Sequence, residues 1–261
     1  MGVEPSGRAQ EAMTGTLDLA RRFVSHHYPD VEAALLAGSR MRGDAASGSD
    51  YDVVLLFRAL PEGAWRAMSL FEGQHIELFA HDLATLAYFC REVDRPSGIA
   101  ALPTMVAEGM ALVNQSATTL EAARKLAHET LRLGPPELDQ AAIRARRYAL
   151  TDLATALDGT RETHIRMPAG AALYSALADF ALRAANRWSA TGKSLPRMLR
   201  AMDADLALRF EAAFSSLFAT GNVAPVQGLV DVVLAPYGGR LREGFRQGAP
   251  AEWRMTSGLL L

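Results

Sequence analysis

Two aspartates, Asp50 and Asp52, stand two residues apart at the entrance of the apolar stretch DYDVVLLF. Carboxylates are costly in a buried strand unless they are paired or bind a cation. Side chains two residues apart on a strand project to the same face, so these carboxylates would lie about 7 Å apart and repel each other. Divalent cations relieve that repulsion, and Mg²⁺ favours carboxylate oxygens combined with substrate phosphates. We therefore expect a metal site that holds a nucleotide.

Glu77 is the candidate for a third acid at this site. It lies within the apolar segment HIELF and has no opposite charge beside it in the sequence. Two metal ions about 4 Å apart can activate an attacking oxygen and neutralise a leaving oxygen in phosphoryl chemistry, and a third carboxylate would help to hold the second ion. Glu77 is predicted to be that ligand, and a surface acid at a strand edge is the alternative.

The pair Gly38-Ser39 is the candidate phosphate-binding turn. It closes an apolar run and opens SRMRGD, which can form a short helix with Ser39 at or near its N-cap. Such a turn presents backbone N–H groups and a hydroxyl to a phosphate. Arg40 and Arg42 would then lie near the same anion.

Four apolar segments are predicted to position these residues. Residues 10–27 have the apolar spacing of an amphipathic helix. Residues 31–38 and 50–57 are candidate buried strands, and residues 64–80 form two strands around the turn Glu72-Gly73-Gln74. A mixed sheet of about four strands follows from these patterns.

The second half of the chain has helical periodicity, and Pro135-Pro136 is the best candidate for a boundary. The sequence thus predicts an α+β fold, with a small mixed-sheet domain over residues 1–134 and a helical bundle over residues 135–261. The four predicted helices of the bundle span residues 137–158, 169–190, 203–219 and 222–235.

Charge is distributed unevenly between the two halves. Residues 1–140 contain 12 Lys and Arg against 19 Asp and Glu, and residues 141–261 contain 15 against 10. An acidic half suits cations and a basic half suits a triphosphate, although solvated helix faces with an uneven charge mix would look the same. Lys193, in the loop SATGKSLP, and Arg187, which a helix would place on one face with Arg183, are the candidate triphosphate ligands of the basic half.

The spacing of Gly38-Ser39, ten residues and Asp50-Tyr51-Asp52, with Glu77 on a later strand, resembles the DNA-polymerase-β-like nucleotidyltransferase superfamily. It is most similar to small bacterial members with a C-terminal helical domain, such as antibiotic nucleotidyltransferases and AMP-transferring antitoxins. The resemblance implies Mg²⁺ and ATP or another nucleoside triphosphate as substrate, and the three acids lead us to expect two Mg²⁺ ions. It also implies that Asp50, Asp52 and Glu77 bind metal and that Gly38 and Ser39 bind phosphate. Arg42, beside this turn, is a further candidate nucleotide ligand.

On this basis we expect transfer of a nucleoside monophosphate, AMP from ATP, to a hydroxyl with release of pyrophosphate. The acceptor would be a small molecule or a protein, since a basic helical half poorly complements a polycation and the chain has no clear basic stripe for nucleic acid. A catalytically silent nucleotide-binding regulatory module of the same fold is the alternative. The single cysteine, Cys90, excludes an internal disulfide, and without a signal pattern or membrane-spanning stretch we expect a cytoplasmic protein.

Overall fold

The computed structural model describes residues 7–42, 48–158 and 162–249, apart from the side chains of residues 7–12 and 42. The chain forms two compact units, Met1–Pro136 and Glu137–Leu261. The first unit contains the sheet and the second is helical, which confirms the predicted α+β fold class. Among the described residues, no helix combines the length and the apolar character needed to cross a membrane.

The sheet of the first unit has five strands in the order β3-β4-β2-β1-β5. The strands are β1 (Ala33–Ala37), β2 (Tyr51–Leu56), β3 (Trp65–Phe71), β4 (Gln74–His81) and β5 (Met110–Asn114). Strands β2 and β4 pair in parallel, and the other neighbours are antiparallel.

The prediction of about four strands was wrong by one, because β5 lies in a region whose sequence pattern is helical. It has five residues and pairs with β1 through a register that shifts between Ala34 and Leu35. A strand this short and irregular leaves little period-2 signal in the sequence.

The β3-β4 hairpin confirms the turn predicted around Glu72-Gly73. Phe71 pairs with Gln74, so the loop has two residues, and both have positive φ, 48° at Glu72 and 75° at Gly73. Two central residues with positive φ match the right-handed twist of the flanking strands. The turn thereby fixes the register between β3 and β4.

Helices cover both faces of the sheet. They are α1 (Gly7–His27), α2 (Gly38–Arg42), α3 (Leu83–Tyr88), which continues as a π-helical segment (Phe89–Asp94), α4 (Arg95–Ser97), α5 (Ala101–Glu108) and α6 (Ala117–Leu133). On one face, Phe23 of α1 packs in the same core as Val53. On the other face, Leu86, Leu102 and Ala123 from α3, α5 and α6 form a core with Val54.

The described residues of the second unit include five helices that pack around one apolar core. They are α7 (Gln140–Asp158), α8 (Thr163–Ala184), α9 (Leu195–Met202), α10 (Ala204–Thr220) and α11 (Ala224–Leu234). Helix α9 was not among the four predicted helices. Helix α8 runs through Pro168, so the predicted start of this helix at residue 169 was wrong.

His81, the last residue of β4, is a buried neutral histidine. Its side chain is 4% exposed and its ring lies edge-on to Phe89, with 5.0 Å between the ring centroids. Its Nδ1 has no hydrogen-bond partner among the described residues. Burial lowers the pKa of His81 to about 4, against a smaller opposing effect of the neighbouring Asp82.

Replacing His81 by Leu should reduce the loss in the free energy of unfolding that occurs as the pH falls. The unfolded chain takes up a proton near pH 6.5 and the folded chain near pH 4, so wild-type stability is lost as the pH falls between these values. Between pH 7 and pH 5 this loss should be about 2 kcal/mol, from the two pKa values. Urea unfolding at both pH values measures it.

The matched control is His75→Leu, an exposed position on the same strand, which should keep the wild-type pH dependence. If the two variants show the same dependence, His81 is not the group responsible.

Candidate functional site

Asp52 and Glu77 lie opposite each other on the two parallel strands. Asp52 of β2 pairs in register with Glu77 of β4. Tyr51 and Ile76, the preceding residues, are buried in the core on the α1 side. Because side chains alternate along a strand, both acids project to the other face of the sheet. Asp50 is half-buried and directly precedes β2.

Gly38 is in direct contact with the carboxylate of Asp52. Strand β1 ends at Ala37, which pairs with Asp52, and Gly38 follows with φ of 76°. A Cβ atom built on Gly38 would overlap Oδ2 of Asp52. Position 38 therefore requires glycine for two reasons, the left-handed backbone and the space taken by the carboxylate.

Ser39 is the second residue of α2, which begins at Gly38, so it lies near the start of this helix as predicted. The backbone turns at Gly38 with positive φ, at the point where the helix begins. Ser39 is 6% exposed. The side chain of Arg42, the other predicted phosphate ligand of this turn, lies outside the described residues.

Arg40 binds the protein's own backbone and side chains. Its Nε and Nη2 donate to the carbonyl oxygen of Ser49 at 3.0 and 2.6 Å, and Nη2 also donates to Oε1 of Gln74 at 3.1 Å. The guanidinium carbon lies 4.0 Å from the centre of the Tyr51 ring. These contacts were not foreseen from the sequence, in which Arg40 is one of two arginines beside a predicted phosphate.

Glu77 forms an ion pair with Arg66 of the edge strand β3. Nε of Arg66 donates to Oε1 of Glu77 at 2.6 Å, Nη2 contacts the same oxygen, and the guanidinium lies over the Phe79 ring. The Glu77 side chain is 15% exposed and that of Arg66 is 67% exposed. In the described part of the chain, no three His, Cys, Asp or Glu side chains are gathered closely enough to hold one metal ion.

A cavity of about 240 Å³ opens beside Gly38. Its lining comes from the end of β1, from α2 and from α5, and includes Thr104 and Glu108. This is below the range of roughly 300–1,000 Å³ typical of drug-sized ligands, but sufficient for a smaller group such as a phosphate. Thr104 and Glu108 carry no sequence signal, because only the packing of α5 on the sheet brings them to Gly38.

Arg183 and Arg187 of the helical unit do not lie on one helix face, as the sequence had predicted they would. Helix α8 ends at Ala184, and Asn186 has φ of 54°, a left-handed conformation that ends the helix before Arg187. Arg183 is 4% exposed, and burial together with nearby Arg146 lowers the pKa of its guanidinium. Arg187 is exposed, as is Lys193 in the turn before α9. The pairing of Arg183 with Arg187 was wrong, while the nucleotide-binding roles of Arg187 and Lys193 stay predictions.

A second cavity, of about 550 Å³, lies within the helical unit. Its walls are largely aromatic and aliphatic, with Tyr174, Phe214 and Phe218 among them, and Arg200 and Glu211 supply charge. Neither Arg187 nor Lys193 is among its described lining residues. Its size and lining suit a small organic molecule better than a triphosphate.

Comparison with known proteins gives likenesses among solved structures, at low sequence identity where one is described. No protein-family model and no curated protein sequence matches the chain. A solved structure of a nucleotidyltransferase-like protein from Exiguobacterium sibiricum 255-15 aligns with a TM-score of 0.42 and 11% identity, over 85% of this chain and 75% of that one. What this chain does must therefore be inferred from its own residues.

Replacing Gly38 by Ala should destabilise the protein more than the same change at Gly63. Both glycines have positive φ, 76° and 88°, but a Cβ at Gly63 meets nothing within 4 Å. Gly63→Ala should therefore lose only the left-handed backbone preference, roughly 1–2 kcal/mol. Gly38→Ala adds the displacement of the Asp52 carboxylate. Equilibrium denaturation of both variants measures the difference, and equal losses would mean that Asp52 moves aside without cost.

Proposed function

We propose that this protein is a Mg²⁺-dependent nucleotidyltransferase. It transfers a nucleoside monophosphate, AMP from ATP, to a hydroxyl of a small molecule or protein and releases pyrophosphate. The observation that carries the proposal is the contact between Gly38 and the Asp52 carboxylate. This contact links the strand that carries the acids with the turn that is proposed to bind phosphate.

The carboxylates fit a magnesium site that the substrate completes. Mg²⁺ in phosphoryl-transfer sites is commonly held by one or two carboxylates, with phosphates and water as the other ligands. Asp50 and Asp52 supply such a set. Glu77, in register with Asp52, is the proposed third acid, and it must exchange its Arg66 partner for a metal ion to act as a ligand. When bound, Mg²⁺ would neutralise phosphate charge and lower the pKa of the acceptor hydroxyl.

The other residues of the site would orient the triphosphate. Ser39 and Arg42 are proposed to bind phosphate oxygens, and Gly38 lets the backbone approach them because it has no side chain. Thr104 and Glu108 line the same cavity as Gly38. Phosphoryl transfer depends mainly on positioning and charge neutralisation, so no nucleophilic side chain is required of the protein. Cys90 is no candidate for one, because it is buried and burial raises the pKa of its thiol to about 11.

A catalytically silent nucleotide-binding module is the alternative. It shares the predicted binding of Mg²⁺ and ATP but releases no pyrophosphate. The two are separated by incubating the protein with labelled triphosphates and a mixture of hydroxyl-bearing acceptors. Pyrophosphate release supports the transferase, and binding without release supports the module.

Asp50→Asn and Asp52→Asn should each lower pyrophosphate release by roughly 100-fold or more, since even outer-shell partners of a metal ligand are worth about 10–100-fold. Asp50→Asn should leave the melting temperature unchanged or raise it in the absence of Mg²⁺, because it removes a like charge beside Asp52. The matched control is Asp30→Asn, an exposed position before β1. A folded variant with wild-type turnover at either site would refute the metal-ligand assignment.

Lys193→Met and Arg187→Met should each raise the Michaelis constant for the triphosphate about tenfold, if each donates one charge-assisted hydrogen bond worth roughly 1.5 kcal/mol. Folding should be unaffected because both side chains are exposed. Arg209→Met, an exposed position on α10, is the control for general loss of positive charge. Unchanged nucleotide affinity in both variants would remove these residues from the site.

A further inference from the structure

We infer that Arg40 is a positioning residue that holds the Asp50-Tyr51-Asp52 segment in place and is not a ligand of the nucleotide. This inference deepens the proposed function, since Asp50 and Asp52 are its proposed metal ligands. It rests on the hydrogen bonds and the aromatic contact that the guanidinium of Arg40 makes within the protein.

The hydrogen bonds of Arg40 fix the backbone directly before the first acid. Nε and Nη2 both donate to the carbonyl oxygen of Ser49, which precedes Asp50. A carbonyl that accepts two charge-assisted hydrogen bonds is held more firmly than one that accepts a neutral bond. The chain therefore enters β2 at a point tied to α2, the element that follows the Gly38 turn.

The flat face of the guanidinium fixes the residue between the two acids. It lies 4.0 Å from the centre of the Tyr51 ring, and Tyr51 is 5% exposed in the core on the α1 side. Alternation along the strand then directs Asp52 to the opposite face, toward Glu77. If the strand rotated at Tyr51, Asp52 would move away from its position opposite Glu77 on β4.

The third contact joins this entrance to the strand of Glu77. Nη2 of Arg40 also donates to the side-chain oxygen of Gln74, the first residue of β4 and three residues before Glu77. Arg40 thus connects the starts of the two parallel strands that carry the acids. A phosphate bound by Nε and Nη2 would have to break these contacts, so the geometry favours a structural partner over an anion.

The substitution that separates the two roles is Arg40→Lys. Lysine keeps the positive charge but has only one nitrogen and no planar face. It therefore cannot donate two hydrogen bonds from two nitrogens to the Ser49 carbonyl while stacking on the Tyr51 ring. A phosphate ligand would tolerate this change in part. A positioning residue would not, so Arg40→Lys should behave like Arg40→Met.

The first measurement is hydrogen exchange of the backbone amides of residues 48–52 in the protein without nucleotide or metal. Exchange should accelerate roughly tenfold or more in both variants, because local opening no longer breaks two charge-assisted hydrogen bonds. The matched control is Arg22→Lys, which removes a comparable two-nitrogen pair with Glu72 away from these residues and should leave their exchange unchanged. Wild-type exchange at 48–52 in both Arg40 variants would overturn the inference.

The second measurement is steady-state pyrophosphate release. Both Arg40 variants should lower kcat by roughly tenfold or more, because misplaced acids position the reacting groups poorly. They should also raise the Mg²⁺ concentration needed for half-maximal rate, with a smaller change in the Michaelis constant for the triphosphate. A raised Michaelis constant that Arg40→Lys largely restores would identify a phosphate ligand and also overturn the inference. If the wild-type protein releases no pyrophosphate but exchange at 48–52 accelerates in both variants, the proposed function fails while the positioning role of Arg40 stands.

Discussion

The close approach of Asp52 to Gly38 is the constraint on which the candidate site depends. The carboxylate occupies the space where any other residue at position 38 would carry its Cβ. Because Ala37 pairs with Asp52 across the β1-β2 ladder, the end of one strand and the start of the next meet at this contact. Strand β2 also pairs with β4, so the position of Glu77 relative to Asp52 follows from the same central strand.

Arginines from neighbouring elements balance the charge and fix the geometry of this acidic edge. Arg66 pairs with Glu77 from the edge strand, and Arg40 ties the backbone before Asp50 to α2 and to β4. Carboxylates on a sheet face that is otherwise apolar carry a desolvation cost, which such partners offset. Since Arg66 is largely exposed, its ion pair can break at lower cost than a buried one.

The sheet places the acids on rigid elements, and helices shield the rest of the face. Leu86, Leu102 and Ala123 from three helices form a core with Val54 on the face to which Asp52 projects. A polar site at the margin of such a core is held within narrow limits by packed neighbours, as a reaction that depends on positioning requires. Cys90 and His81 are buried beside this core, and because burial raises the pKa of the thiol and lowers that of the imidazole, both are uncharged at neutral pH.

The sequence by itself determined the features that depend on residues close together in the chain. These features are the buried strand that Asp50 and Asp52 enter, the hairpin at Glu72-Gly73 and the change from mixed sheet to helices, because each depends on residues within one short segment. Only the tertiary structure decided that Arg66 pairs with Glu77, that Arg40 binds Ser49 and Gln74, and that β5 joins the sheet. It also buried Arg183 and ended α8 before Arg187. These outcomes depend on strand register and packing between segments distant in sequence, and side-chain periodicity within a segment carries no information about them.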